Sequence, residues 1–331
     1  MEILTLHICI AIPKEAVEFY GNDFSYNPVG TGPFILDKLD KDTKKIFYIK
    51  NDSYHNKNLN LLDKIEVIFV PEDSVNIMML KSKKIDLCSV NINILNQIKE
   101  DTELLKDFDL NFYDSSTVKF FVFNTNKKPF DCKYFRASVS SCFDKKTQNE
   151  IFFYKNMKIA DSIISPFLRK NKNYDFRLYD FDIENSKKFL KKSKYYDNIK
   201  NLEPIILDLP ENFDLNQAEF FIKCMEKIGL KFKINKMPNS LYIKKIIDGE
   251  SQIYSMGWIA AYPDADNFFF QFFSEGVGNP YFGFYKNKSY NDLYKESTKI
   301  IDKKKRNKIY EKMEKFIFEE CPTLNLFYIP S

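Results

Sequence analysis

The sequence predicts an α/β protein built in two lobes, and three observations lead there. Its 331 residues exceed what one compact core ordinarily organises. Strand-like and helix-like patterns alternate along most of the chain. Hydrophobic residues make up 44% and aromatic residues 16%, enough apolar material to bury a core rather than leave the chain disordered.

The first residues, Met1 to Ile12, are apolar but open with Glu2, contain His7 and run into Pro13-Lys14-Glu15 without a small-residue cleavage site. They do not read as a secretory signal and are too short to cross a bilayer; a buried strand or helix end is expected. Lys14 to Tyr20 reads as a helix stopped by Gly21. The segment from Asn27 to Phe34 holds Pro28, Gly30, Gly32 and Pro33 and reads as a fixed turn, its glycines expected at positive φ. A phosphate-cradling loop would need a following lysine and helix, or G-x-G-x-x-G spacing, which this segment lacks. Strands are predicted at Phe34 to Leu39, Lys45 to Asn51 and Lys64 to Val70. A helix over Asp73 to Leu80 would turn Val75, Met78 and Met79 inward. Ile85 to Val90 reads as a strand and Ile94 to Lys99 as a short helix.

Thr117 to Thr125 is strongly β, with Phe120, Phe121 and Phe123, and Pro129-Phe130-Asp131 breaks the chain before a helix over Lys133 to Phe143. A second α/β run follows: helix Asp182 to Lys192, strand Pro204 to Leu209, helix Leu215 to Ile228 stopped by Gly229, strand Leu230 to Asn235, helix Leu241 to Ile247 and strand Gln252 to Trp258. The last helix spans Asn307 to Glu319 and the last strand Leu324 to Ile329. Between them, Tyr254 to Phe273 carries the lone tryptophan, Trp258. It reads as a strand delivering an aromatic to a loop, then a helix start capped by Asp264 or Asp266. Its dense block Phe268 to Phe273 is expected to pack inward.

Charge excludes a nucleic-acid partner. The net charge of +4 balances 50 basic against 46 acidic residues, and the signs interleave rather than form a stripe. Arginines, the preferred phosphate and base contacts, are confined to Arg136, Arg169, Arg177 and Arg306. The densest basic run, Lys187, Lys188, Lys191, Lys192 and Lys194, reads as the solvated face of a helix burying Ile183, Phe189 and Leu190. Cys9, Cys88, Cys132, Cys142, Cys224 and Cys321 show no C-x-x-C spacing, which argues against a zinc or redox site. His7 and His55, scattered and without partner motifs, support neither a catalytic triad nor metal or haem loading. No carboxylate pair is singled out for glycosidase-like chemistry.

An ordered set of motifs then carries a resemblance. Pro13 to Gly21 (Pro-Lys-Glu-Ala-Val-Glu-Phe-Tyr-Gly), Asn27 to Phe34 (Asn-Pro-Val-Gly-Thr-Gly-Pro-Phe), Phe123 to Asp131 (Phe-Asn-Thr-Asn-Lys-Lys-Pro-Phe-Asp), Ile228 to Phe232 (Ile-Gly-Leu-Lys-Phe) and Gly257 to Phe268 (Gly-Trp-Ile-Ala-Ala-Tyr-Pro-Asp-Ala-Asp-Asn-Phe) together resemble the family 5 bacterial extracellular solute-binding proteins. These are the receptors of dipeptide, oligopeptide and nickel ABC importers. The resemblance covers nearly all of the chain. It implies a type II fold like that of the periplasmic binding proteins, with two lobes around a cleft. Residues 1 to 121 would belong to the large lobe, 122 to 320 to the second lobe, and 321 to 331 would return to the first, the crossings near Phe121 and Cys321 forming a hinge.

Two departures from the family pattern follow. Family members normally begin with a secretion signal and a long section of the first lobe, and here Met1 falls where that lobe is already under way. The N-terminal part of lobe one is therefore expected to be missing, and Cys9 has no lipobox. Peptide-binding members typically read Gly-Trp-x-Ala-Asp-Tyr, their Asp pairing with the ligand's α-ammonium through a charge-assisted bond. This chain has Ala261 there, and Asp264 and Asp266 are expected to cap the turn and helix rather than replace it.

The resemblance implies a substrate-binding component of an ABC importer, with a peptide ligand and permease subunits as partners and no cofactor. Gly257 and Ile259 would offer backbone hydrogen bonds to an extended peptide, Trp258 would pack against it, and Ala261 and Tyr262 would line the cleft. The alternative is a truncated, binding-incompetent remnant that a separately encoded N-terminal fragment could complement; an enzyme is the minor reading. The resemblance places the protein in the periplasm or at the cell surface, and expression without a signal would leave it in the cytoplasm.

Overall fold

The computed structural model describes all residues except 1–5, 7–8, 60, 91, 93, 114–115, 170–178, 277–281 and 330–331; His7 and Arg177 thus lie outside the described residues. The chain divides into two compact units, Met1–Asp109 and Leu110–Ser331.

In the first unit, helix α1 (Lys14–Tyr20) stops at Gly21, whose φ of 51° is a conformation that costs glycine little. Three antiparallel strands follow in the order β1 (Phe34–Asp40), β2 (Lys45–Lys50), β3 (Lys64–Ile68). Asp40 closes the β1–β2 turn by accepting the Thr43 N–H at 3.0 Å, and that bond, with the Lys38 ammonium, holds its carboxyl at a pKa of about 2. Short helices α2 (Asp73–Lys81), α3 (Leu95–Glu100) and α4 (Leu104–Asp107) complete the unit.

Several expectations are corrected here. Gly30 and Gly32 do not have positive φ; the neighbouring prolines suffice to shape that turn. Ile10 and Ile12 are exposed, not buried. On α2 it is Leu80 that is buried, while Val75 and Met78 face solvent. Residues 85–90 form no strand, because no neighbouring strand pairs with them, and Leu87 is 88% exposed. Among the described residues only Leu80, Leu95, Ile98 and Leu104 of this unit are buried.

The second unit runs β4 (Thr117–Phe123), α5 (Lys133–Cys142), α6 (Lys145–Phe153), β5 (Lys158–Ile159), α7 (Ile183–Lys192), β6 (Ile205–Pro210), α8 (Leu215–Glu226), β7 (Phe232–Met237), α9 (Asn239–Ile247), β8 (Ile253–Ile259), α10 (Asp266–Phe269), α11 (Lys288–Ser297), α12 (Lys303–Glu320) and β9 (Thr323–Ile329). Its six-stranded sheet has the order β5-β9-β4-β8-β6-β7. The final strand lies beside β4 in this sheet, and Phe121 lies within β4. β4 is antiparallel to β8 and β9, whereas β6 is parallel to β7 and β8.

Side-chain caps start most of the longer helices: Asp144, Asp182, Asp214, Asn287 and Asp302 each accept a backbone N–H of the first turn. The sheet buries apolar side chains on both faces. Val118, Phe120, Val122 and Tyr254 pack against Phe268, Phe269 and Phe272 and against Ile309 and Met313 of α12. On the other face, Phe121 and Phe123 meet Phe143, Phe221 and Phe130, with ring centroids 4.9–6.5 Å apart. The block 268–273 is therefore core at Phe268, Phe269 and Phe272. The five lysines of the 187–194 run are solvated, and Leu190 beneath them is buried.

Candidate ligand-binding site

The register of β8 decides what its backbone can offer. Ala260 donates its N–H to the Ser116 carbonyl at 3.3 Å, and the Asn124 N–H reaches the Gln252 carbonyl at 2.9 Å. Both pairs lie in the one continuous β4–β8 register, in which Val118 faces Trp258 and Phe120 faces Met256. Backbone groups in an antiparallel pair point alternately toward and away from the partner. Even-numbered residues from 252 to 260 therefore bond to β4, and Ser255, Gly257 and Ile259 direct their N–H and C=O to the opposite edge.

Among the described residues, nothing pairs with that edge beyond its first residues. Pairing with β6 comprises Leu207↔Ile253 and Asp208↔Tyr254 and then ends. The Ser255 carbonyl accepts the Tyr242 hydroxyl. Gly257 and Ile259 are exposed, Ile259 at 64%. A Cβ on Gly257 would meet the Val118 carbonyl at an ordinary 3.7 Å, so internal packing does not demand glycine there.

Trp258 points the other way and is half-buried against the core. Its indole N–H donates to Asn267 Oδ1 at 2.7 Å, and its ring meets Phe282 edge-on at 5.8 Å. The same Asn267 oxygen accepts the Ala261 N–H at 3.3 Å. One buried amide thus ties the indole and the backbone just past the strand together. Sequence reasoning missed Asn267 as a site residue, although it stands within the Asp-Ala-Asp-Asn-Phe portion of the motif.

The following loop is fixed by acids that are already committed. Asp264 accepts the Asp266 N–H at 3.0 Å and the Tyr310 hydroxyl at 3.1 Å, and it pairs with Arg306 of α12. Asp266 accepts the Tyr262 hydroxyl at 2.8 Å. Burial pushes the Asp266 carboxyl above its usual range, against the hydrogen bond from Tyr262, and the neighbouring Asp264 charge adds to the rise. Burial and the Asp266 charge likewise raise the Tyr262 phenol. The cap of α10 falls on Ala265, with no side-chain bond; Asp264 instead braces the turn before it. Of the five residues singled out in the sequence, Gly257 and Ile259 share the open edge and Trp258 backs it. Ala261 is exposed just beyond the strand, and Tyr262 is half-buried and bound to Asp266.

Among the described residues no group of histidines, cysteines and carboxylates is placed to hold a metal ion. None of the described helices is long and apolar enough to cross a membrane.

Comparison with known proteins matches residues 2–280 to the model of bacterial extracellular solute-binding proteins, family 5 Middle. The chain is 26% identical over 302 residues to "Heme-binding protein A" of Haemophilus influenzae, covering 89% of this chain and 53% of that protein. It is 26% identical over 303 residues to "Dipeptide-binding protein" of Escherichia coli, covering 90% of this chain and 55% of the relative. The chain thus spans about half the length of the curated relatives it matches. Among solved structures, the periplasmic binding protein DppA of Helicobacter pylori, in complex with the peptide STSA, superposes with a TM-score of 0.77 at 22% identity. That superposition covers 100% of this chain and 64% of the other.

Proposed function

The chain belongs to the bacterial extracellular solute-binding proteins, family 5, and from that premise we propose that it serves as a substrate-binding component of an ABC importer, taking up an extended peptide as an added strand on the free edge of β8. Its mixed α/β fold is that of the type II periplasmic binding proteins. The family consists of solute-binding proteins and not enzymes, and binding rather than catalysis is the role proposed for this chain.

One observation carries the reading. β8 loses its β6 partner after Tyr254, while the register turns the backbone groups of Gly257 and Ile259 to that vacant side. Backbone pairing would give affinity with little dependence on ligand sequence. In this reading Trp258, anchored by Asn267, forms a rigid backing to the edge, and Ile259, Ala261 and Tyr262 border the ligand. Permease subunits and a location outside the cytoplasmic membrane belong to the same proposal, as does a two-lobed division with residues 1–121 and 321–331 in the first lobe and 122–320 in the second.

A polypeptide that completes residues 1–109 is also part of it. Phe19, Leu61, Phe69 and Leu87 of that unit are 67–88% exposed, more large apolar surface than so small a buried set would be expected to leave uncovered.

Calorimetry with a pool of short peptides tests the reading. Binding is expected, with weak selection for a free amino end because Ala261 supplies no carboxylate. Ala261→Asp should raise affinity for peptides with a free α-ammonium by about tenfold, the scale of one charge-assisted hydrogen bond. Absence of binding at millimolar peptide would overturn the proposal.

A further inference from the structure

The charge that the free edge of β8 presents comes from the neighbouring strand. Lys119 of β4 stands directly opposite Gly257. The phase of the ladder makes this a pair without mutual hydrogen bonds, the closer kind, with both side-chain positions on one face. The Lys119 Cγ lies 3.8 Å from where a Cβ on Gly257 would be. The start of the stem therefore lies beside the one residue of β8 that has no side chain. Neighbouring strands are about 4.8 Å apart, and the flexible four-carbon stem of lysine is long enough to carry its ammonium over Gly257 to the free edge.

Among the described residues no carboxylate forms an ion pair with Lys119, whereas Asp264 pairs with Arg306 and Asp266 is bound by Tyr262. Lys119 is the one exposed side chain of β4; crowding by the strands beneath it lowers its pKa from the ordinary value. An exposed ammonium with no carboxylate paired to it among the described residues is free to form a charge-assisted bond with an incoming carboxylate. Ala261, just past the strand, adds no acid to this edge.

We propose that Lys119 is a specificity-determining residue that selects ligands bearing a carboxylate alongside Gly257, supplied by the C-terminus of a short peptide or by an acidic side chain. This rests on the peptide-binding reading of β8, which it deepens by naming the ligand class.

The test uses the whole chain and three probes: tetraalanine, its C-terminal amide, and the C-amidated peptide Ala-Ala-Glu-Ala. Affinities are measured for the unaltered protein and for Lys119→Met, which keeps the stem and removes the charge. Each probe bearing the carboxylate in reach of Lys119 should bind the unaltered protein about tenfold more tightly than the neutral amide. Lys119→Met should abolish that gap while leaving affinity for the amide unchanged. Preference for tetraalanine would assign the carboxylate to the ligand C-terminus, and preference for the amidated glutamyl peptide would assign it to a side chain. Equal binding of all three probes, or a preference that survives in Lys119→Met, would overturn the role of Lys119 and leave peptide binding standing. No binding of any probe at millimolar concentration would remove both.

Discussion

Asn267 sets the geometry of the candidate site through one oxygen, which receives both the Trp258 indole N–H and the Ala261 amide. Asn267→Leu would leave two donors without their acceptor and should cost about 1–3 kcal/mol. Since Trp258 is the lone tryptophan, urea unfolding followed by its fluorescence reads both effects, and the native emission should shift to the red as the indole loses its anchor. An unchanged spectrum and midpoint would contradict this assignment. Asp266 gives a second expectation, in pH. Its carboxyl pKa is raised in the folded protein above the reference value of 3.8, so the folded state holds this proton more tightly than the unfolded state. Its contribution to stability therefore falls as pH rises from 3.8 through the folded value, and the penalty is absent below 3.8. Asp266→Asn should gain stability relative to the unaltered protein across that window and hold the gain above it; a difference independent of pH would refute the argument. At this scale the sequence was informative about Gly257, Trp258 and the missing acid at Ala261, each visible in a contiguous motif. It was silent on Asn267, because an asparagine near a helix start reads as a cap until the fold brings an indole to it.

At the scale of elements, local pattern identified β4, β6, β7 and β8 and helices α5, α7, α8 and α9 to within a few residues. It missed α6 and α11, where polar residues such as Lys145-Lys146-Thr147-Gln148 mask a short buried stripe. It also began α12 four residues late, at Asn307 instead of Lys303. Three consecutive lysines in a first turn oppose the helix dipole, and the Asp302 cap outweighs them. The end of α12 depends on a residue distant in sequence. Buried Arg136 of α5 donates to the carbonyls of Phe130 at 2.6 Å, Glu320 at 3.0 Å and Cys321 at 3.1 Å, which joins α5 to the turn that launches β9. Arg136→Met keeps much of the bulk but leaves those carbonyls unpaired, and it should lower stability by about 3 kcal/mol. Denaturant unfolding measures this, and a loss below about 1 kcal/mol would show the arginine to be dispensable.

For the whole molecule, alternating strands and helices announced an α/β protein, but the sheet that each strand joins is set by pairing partners far away in sequence. Local pattern holds no record of them. That is why neither the pairing of β9, at the very end of the chain, with β4 nor the parting of the compact units between Asp109 and Leu110 is legible in local pattern. Burial is equally uneven, with the large aromatic core confined to residues 110–331. Amide hydrogen exchange should accordingly be slowest at the centre of β4, β8 and β9 and much faster throughout residues 1–109. The same experiment, repeated with short peptides at millimolar concentration, tests the central claim most directly. Peptide added to the free edge of β8 should slow exchange at the amides of Gly257 and Ile259, while Trp258, already bonded to β4, should change little. Unaltered exchange at both positions, or slowing at Trp258 without slowing at Gly257 and Ile259, would contradict strand addition at this edge.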